Sequence, residues 1–161
     1  MKIVTFILLA ALLTGCGKAE VYETVTDEMV QSVSVEPKEV LFDLAQEPVL
    51  PAMESDSGTL YLCGDFDVVV HTCQSGDLSS TVKEVSGFLP EELTVIQTGN
   101  GEVERYEFVW TSATDLGQQI GRATILDDGN YHYVLSTLAD ASRAGEFDET
   151  WEALFGSYSL G

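Results

Sequence analysis

Basic residues are scarce in this sequence. Seven lysines and arginines stand against 27 aspartates and glutamates in 161 residues, for a formal charge of −20. Nucleic-acid binding is excluded on that count, because it depends on neutralising phosphates with cations. Adhesion of the protein's own surface to anionic lipid headgroups is opposed for the same reason. Histidine is scarcer still: His71 and His132 are the only two. Cysteine occurs three times, as Cys16, Cys63 and Cys73, without the spacing of a zinc site. The one long apolar run, residues 3–13, falls short of the ~20 residues that cross a bilayer. No Gly-x-Ser-x-Gly elbow is present, and Gly99-Asn100-Gly101 has neither the following helix nor the lysine of a phosphate loop. Internal repeats and heptads are absent as well.

What the N-terminus does have is Met1-Lys2, then the apolar run, then Leu13-Thr14-Gly15-Cys16. A small positive segment, a short hydrophobic core and small residues before the cut make a signal peptide over residues 1–15. A cysteine at the cut resembles the lipobox of bacterial lipoproteins. That resemblance implies diacylglyceryl transfer to the Cys16 sulfur, cleavage between Gly15 and Cys16, and anchoring at the extracytoplasmic face of the cell membrane. Two acyl chains on one residue give stable attachment. A plain secretory signal is the alternative.

Residues 16–38 are polar and acidic without a sustained period, and read as a flexible leader. Residues 39–161 read as a single α+β domain. Residues 40–44 are a first strand, and Pro48 and Pro51 bracket a break. Residues 59–63 and 66–73 are strands, and Val68-Val69-Val70 suits burial on both faces. Asp77 or Ser79 caps a helix that turns Leu78, Val82 and Val85 to one side and ends at Gly87. Strands follow over residues 93–98, 104–112, 119–126 and 130–138. Asp128-Gly129 marks a two-residue hairpin that sets Leu126 against Tyr131, Ile125 against His132 and Ala123 against Val134. Apolar residues on both faces of this hairpin require cover on both sides. Phe147, Trp151, Leu154 and Phe155 lie at helical spacing and supply part of it. Asp148 lies near the start of that helix, Gly156 ends it, and residues 157–160 form a short last strand.

The order hairpin, helix, four-stranded antiparallel meander, helix, terminal strand resembles the PsbP-like fold over residues 60–160. That fold is shared by the PsbP photosystem subunit, a Ran-binding nuclear import factor and the bacterial DcrB lipoproteins. Tyr131-His132-Tyr133-Val134-Leu135 leads into the helix bearing Trp151, and Ser157-Tyr158 stands where relatives often have Ser-Phe. Residues 126–133 are also similar to a stretch found in small lipoproteins of Gram-positive bacteria. The resemblance implies an antiparallel sheet flanked by two main helices and a non-catalytic binding or assembly role.

Chemistry-bearing residues are few. His71 and Cys73 share a strand face at period 2, so an imidazole-activated thiol or a metal fragment is one reading; packed core residues are the other. His132, set opposite Ile125, reads as a packed, hydrogen-bonded residue. Cys63 and Cys73 read as two buried thiols, a disulfide or a reactive pair, and a hairpin at Gly64-Asp65 would hold their sulfurs far apart. Asp127-Asp128-Gly129-Asn130 has calcium-like composition but no following bidentate acid, so it reads as a turn. Tyr106, Phe108, Trp110, Tyr131 and Tyr133 read as core. The expectation is therefore a membrane-tethered, extracytoplasmic binding module with an acidic surface, no catalytic residues, no cofactor and no metal. Its partner would be a protein of the cell envelope. The alternative is a cell-surface enzyme, or a carrier of a cation or small ligand, with its site around His71, Cys73 and His132.

Overall fold

Val68-Val69-Val70 lies near the middle of a seven-stranded antiparallel sheet. The structure, a computed structural model, describes residues 35–44, 53–55, 58–99, 101–115 and 117–161. Gly15 and Cys16, the signal peptide, most of the expected leader, and Pro48 and Pro51 lie outside them. Residues 35–161 form one compact unit. Its elements are β1 (Val40–Leu41), β2 (Met53–Ser55), β3 (Gly58–Leu62), β4 (Phe66–Gln74), α1 (Leu78–Ser86), β5 (Ile96–Gly99), β6 (Glu104–Thr114), β7 (Gly117–Asp127), β8 (Tyr131–Asp140), α2 (Asp148–Ser157) and β9 (Ser159–Leu160). The sheet order is β2-β3-β4-β8-β7-β6-β5, and β1 pairs separately with β9. This is an α+β fold with an antiparallel sheet and two main helices. No described helix is long and apolar enough to cross a membrane.

Each face of the sheet has its own core, which is why apolar residues occupy both sides of the β7–β8 hairpin. On one face Phe66, Val68, Leu126, Tyr133 and Leu135 pack against Trp151, Leu154 and Phe155 of α2. On the other, Phe108, Ala123, Ile125 and Val134 pack with Val82 of α1. Helix α2 has no side-chain cap; Phe147 stands at its N-cap position, and Asp148 and Glu149 fill the first turn. Forgoing a cap costs about 1 kcal/mol, whereas burying Trp151, Leu154 and Phe155 contributes roughly 1.5–3 kcal/mol each, so packing decides this helix. Its C-terminal end is tied to the sheet by Arg105, whose guanidinium donates to the carbonyls of Phe155 (2.6 Å) and Tyr158 (3.1 Å). Helix α1 is capped at both ends, by the Asp77 carboxylate accepting from the Ser79 N–H and by Gly87 at φ 82°.

The expected meander β5-β6-β7-β8 is present, with several corrections. The first strand is only Val40–Leu41, and the strand expected from residue 93 starts at Ile96 after a 3₁₀ turn at Pro90–Glu92. Helix α2 runs one residue past Gly156. The β7–β8 register also differs: Leu126 faces Tyr133, Ile125 faces Val134, Ala123 faces Ser136 and His132 faces Asp127. The cause lies in the turn. Gly129 and Asn130, rather than Asp128 and Gly129, are its central pair, since the Asp128 N–H bonds to the Tyr131 carbonyl. Gly129 has φ 84° and no non-glycine residue among the described residues, Asn130 included, has positive φ, so the turn follows a II′ rather than a I′ pattern of φ signs. Moving the turn by one residue shifts pairing by two, which leaves every side chain on its expected face.

Residues 35–38, read as leader from composition, are bonded to this hairpin. The Tyr131 hydroxyl donates to the Val35 carbonyl (2.7 Å), the Lys38 N–H donates to the Tyr133 hydroxyl (2.9 Å), and the Lys38 ammonium lies 3.2 Å from Asp128.

Candidate functional site

The corrected register builds a polar cluster beneath α1. His132 faces Cys73 on β4 and Asp127 on β7, and its side chain is 1% exposed. Its Nδ1 lies 2.8 Å from the Thr81 hydroxyl on α1. Its Nε2 lies 3.3 Å from the Ser75 hydroxyl and 3.4 Å from Asp127 Oδ2. Ser75 donates in turn to Asp127 Oδ1 (3.1 Å), which also accepts from the Gly129 N–H (2.8 Å). The ring is thus held by the helix on one nitrogen and by the end of β4 and the β7–β8 turn on the other.

His71, Cys73 and His132 do share one sheet face, because His71 faces Val134 and Cys73 faces His132. Residues two apart along paired strands lie roughly 7–8 Å from one another, close enough for one site. Burial pushes the His71 imidazole below its ordinary value, opposed by Glu84 of α1; its Nε2 is buried and has no hydrogen-bond partner among the described residues. Burial pushes the Cys73 thiol up, a hydrogen bond with Thr81 opposes this, and Glu84 adds to it. The Cys73 shift is opposite to the lowered pKa that a nucleophilic thiol needs.

Serine, histidine and aspartate meet here, but not as a relay. A hydrolytic triad places the hydroxyl and the carboxylate on opposite ring nitrogens. Ser75 and Asp127 share Nε2, and the hydroxyl on the opposite nitrogen, that of Thr81 on α1, is buried together with the ring, where no substrate meets it. Among the described residues no group of three or more His, Cys, Asp and Glu side chains could hold a metal ion. The arrangement fastens α1 to the sheet.

Cys63 and Cys73 are both free thiols, and the disulfide reading is corrected. Cys63 closes the β3–β4 turn, its N–H bonded to the Phe66 carbonyl, while Cys73 lies near the far end of β4. From Phe66 to Cys73 is roughly 23 Å of strand at ~3.3 Å per residue, far beyond the reach of a disulfide. Burial, with Asp67 second, pushes the Cys63 thiol up. The aspartate turn is likewise occupied by the protein itself. Asp128 accepts from the N–H groups of Asn130 (3.0 Å) and Tyr131 (2.9 Å) and from the Tyr133 hydroxyl (3.2 Å). Burial works to raise its carboxyl, and these donors together with Lys38 hold it below the ordinary range.

The surface that stands open lies elsewhere. Strand β5 pairs with β6 only as far as Glu107, opposite Ile96, and the chain before β5 diverges from β6. A groove of about 620 Å³ occupies the gap, walled by Phe88, Leu93 and Ile96 and floored by residues 107–111 of β6. Ile96 and Val109 are 57% and 51% exposed. Trp110 lies in its floor, with its ring across Gly121 of β7. Sequence reasoning placed Trp110 correctly in the core but missed the groove, because residues 93–95 read as strand. It missed Ser75, Thr81 and Asp127 because the register around His132 was two residues off.

No protein-family profile matches the sequence, and no curated protein does. Among solved structures the fold is similar to that of LpqN, a protein involved in cell envelope biogenesis of Mycobacterium tuberculosis. The TM-score is 0.52 at 11% identity, over 78% of this chain and 86% of that one. At such identity the likeness concerns the fold alone.

Proposed function

We propose that this chain is a lipid-anchored, extracytoplasmic binding or assembly module of a bacterial cell envelope, built on a PsbP-like domain and carrying out no catalysis of its own. The anchor is argued from Leu13-Thr14-Gly15-Cys16 behind a short apolar run. The envelope role draws on the fold's likeness to LpqN, a protein of cell envelope biogenesis. The observation that carries the binding role is the contrast between two places in the domain. The cluster of serine, histidine and aspartate among the described residues is closed over by α1, with His132 buried. The open groove is walled by apolar side chains and lies at a sheet edge. Binding modules present such surfaces, whereas acid–base or nucleophilic chemistry needs groups that converge on a space a substrate can occupy. An enzyme or carrier centred on His71, Cys73 and His132 has less support, because it requires that ring to be reachable.

The anchor is tested by replacing Cys16. In the native host, Cys16→Ala or globomycin treatment moves the protein out of the membrane fraction. Membrane association unchanged by both treatments would refute the anchor.

A further inference from the structure

The outer side of β6 from residue 108 to residue 113 is, among the described residues, an unpaired sheet edge. Strand β7 pairs along one side of it, Phe108 with Ala123 through Ala113 with Gln118, while β5 stops at Glu107. Among the described residues no strand pairs with its other side. Proteins usually blunt such edges with lysines, prolines or very short strands. The opposite edge, β2, follows that rule: it has three residues, Glu54 among them. Residues 108–113 are Phe-Val-Trp-Thr-Ser-Ala, with no charge and no proline. The groove is lined from both faces of this strand, by Phe108 and Trp110 on the α1 side and Val109 on the α2 side, so it runs along the edge itself.

The charges around this edge are one-sided. Glu92 and Glu107 line the groove, and Asp148 and Glu152 line the adjoining cleft that shares Val109 and Arg122 with it. Arg122 is the one cation lining either; it lies 4.5 Å from the centre of the Phe155 ring and 3.7 Å from Glu107, which Arg105 also pairs at 2.5 Å, so the carboxylates without an ion pair among the described residues are Asp148 and Glu152 beside the edge and Glu92 in the groove. A second copy of this chain would bring the same carboxylates and another −20 of charge to the contact. A cationic occupant meets complementary potential instead.

We propose that the edge of β6 at residues 108–113 docks an extended segment of a partner protein in which apolar and basic residues alternate. This deepens the binding-module reading and rests on it. The segment adds a strand to the sheet, so its main chain supplies the hydrogen bonds and alternate side chains go to opposite faces. One set packs toward Phe88 and Leu93 on the α1 side. The other set lies on the Val109 side, beside Asp148 and Glu152, where basic residues belong.

The test uses the whole chain purified in detergent, with a peptide alternating valine and lysine, about eight residues long to match a strand. Its counterparts replace lysine with glutamate or carry N-methyl groups at alternate positions. The Val-Lys peptide binds and slows amide exchange across residues 108–113, whereas both counterparts bind far more weakly. Val109→Lys, at an exposed position, weakens binding by roughly tenfold or more through a juxtaposed like charge. Leu62→Lys, exposed on β3 and well away from the groove, makes the same charge change and has a much smaller effect. The proposal is overturned if the Val-Lys peptide does not bind, if Val109→Lys and Leu62→Lys weaken binding equally, or if the N-methylated peptide binds as well. Protection of residues 108–113 that rises with protein concentration without peptide would also overturn it, by assigning the edge to self-pairing. Fractionation reads the anchor separately: loss of peptide binding with membrane retention intact refutes the groove alone.

Discussion

Thr81 sits inside a helix, where threonine gains little from its hydroxyl, yet that hydroxyl satisfies a buried ring nitrogen of His132. Removing one partner of a buried hydrogen bond strands the other, at about 1–3 kcal/mol. Thr81→Val is therefore expected to lower unfolding free energy by that amount in urea titrations, with Thr81→Ser restoring most of it. An unchanged midpoint would show that the contact contributes nothing to stability. His71 makes a different prediction. Burial holds its imidazole below the ordinary value in the folded state, so the unfolded chain takes up the proton first as pH falls. Stability from this residue is complete above the unfolded value of ~6.5 and is lost progressively as pH drops below it. Urea titrations between pH 8 and pH 5 should show stability falling with acidity. His71→Gln should flatten that slope, and an unaltered slope would assign the acid sensitivity to other groups.

Gly121 and Trp110 face each other across β6 and β7, and the indole lies where a side chain at 121 would begin. Gly121→Ala forces the ring aside, and overpacking of this kind costs about 1–3 kcal/mol. The expected result is a lower melting temperature together with altered tryptophan fluorescence; a variant with native stability and spectrum would mean the ring has free space to move into. Pairs of this kind also mark how far the sequence could be read. Helix α1 was legible, because Gly87 and the pair of cap candidates Asp77 and Ser79, of which Asp77 is the cap, are local signals acting on adjacent backbone. The stripe from Phe147 to Phe155 was legible because helical spacing survives any tertiary arrangement. The His132 cluster was not, since it depends on whether Asp128 or Gly129 opens a turn, and both choices satisfy the same hydrophobic pattern. The groove was hidden for a related reason. Leu93 and Val95 pack against the core and so carry a strand-like pattern, although only Ile96 onward pairs with β6.

The whole domain is a sheet with a helix and a core on each face. Antiparallel order follows from short connections between neighbours, which the sequence states through its turn residues; the crossing from β4 to β8 does not, because a helix and three strands intervene. The beginning and the end of the domain meet at one place. Strand β1 pairs with β9, the Gly161 N–H donates to the Glu39 carbonyl, and residues 35–38 are held on the β7–β8 hairpin. In mechanical terms this is a load path. Tension along the chain ahead of Val35 falls first on the Tyr131, Tyr133 and Asp128 contacts, then on the short β1–β9 pair, before it reaches the seven-stranded sheet. The domain thus carries its first-loaded contacts at the point where a tether would pull, and because Val40, Phe42, Leu44 and Leu160 pack against the α2-side core, a pull that opens them would expose that core.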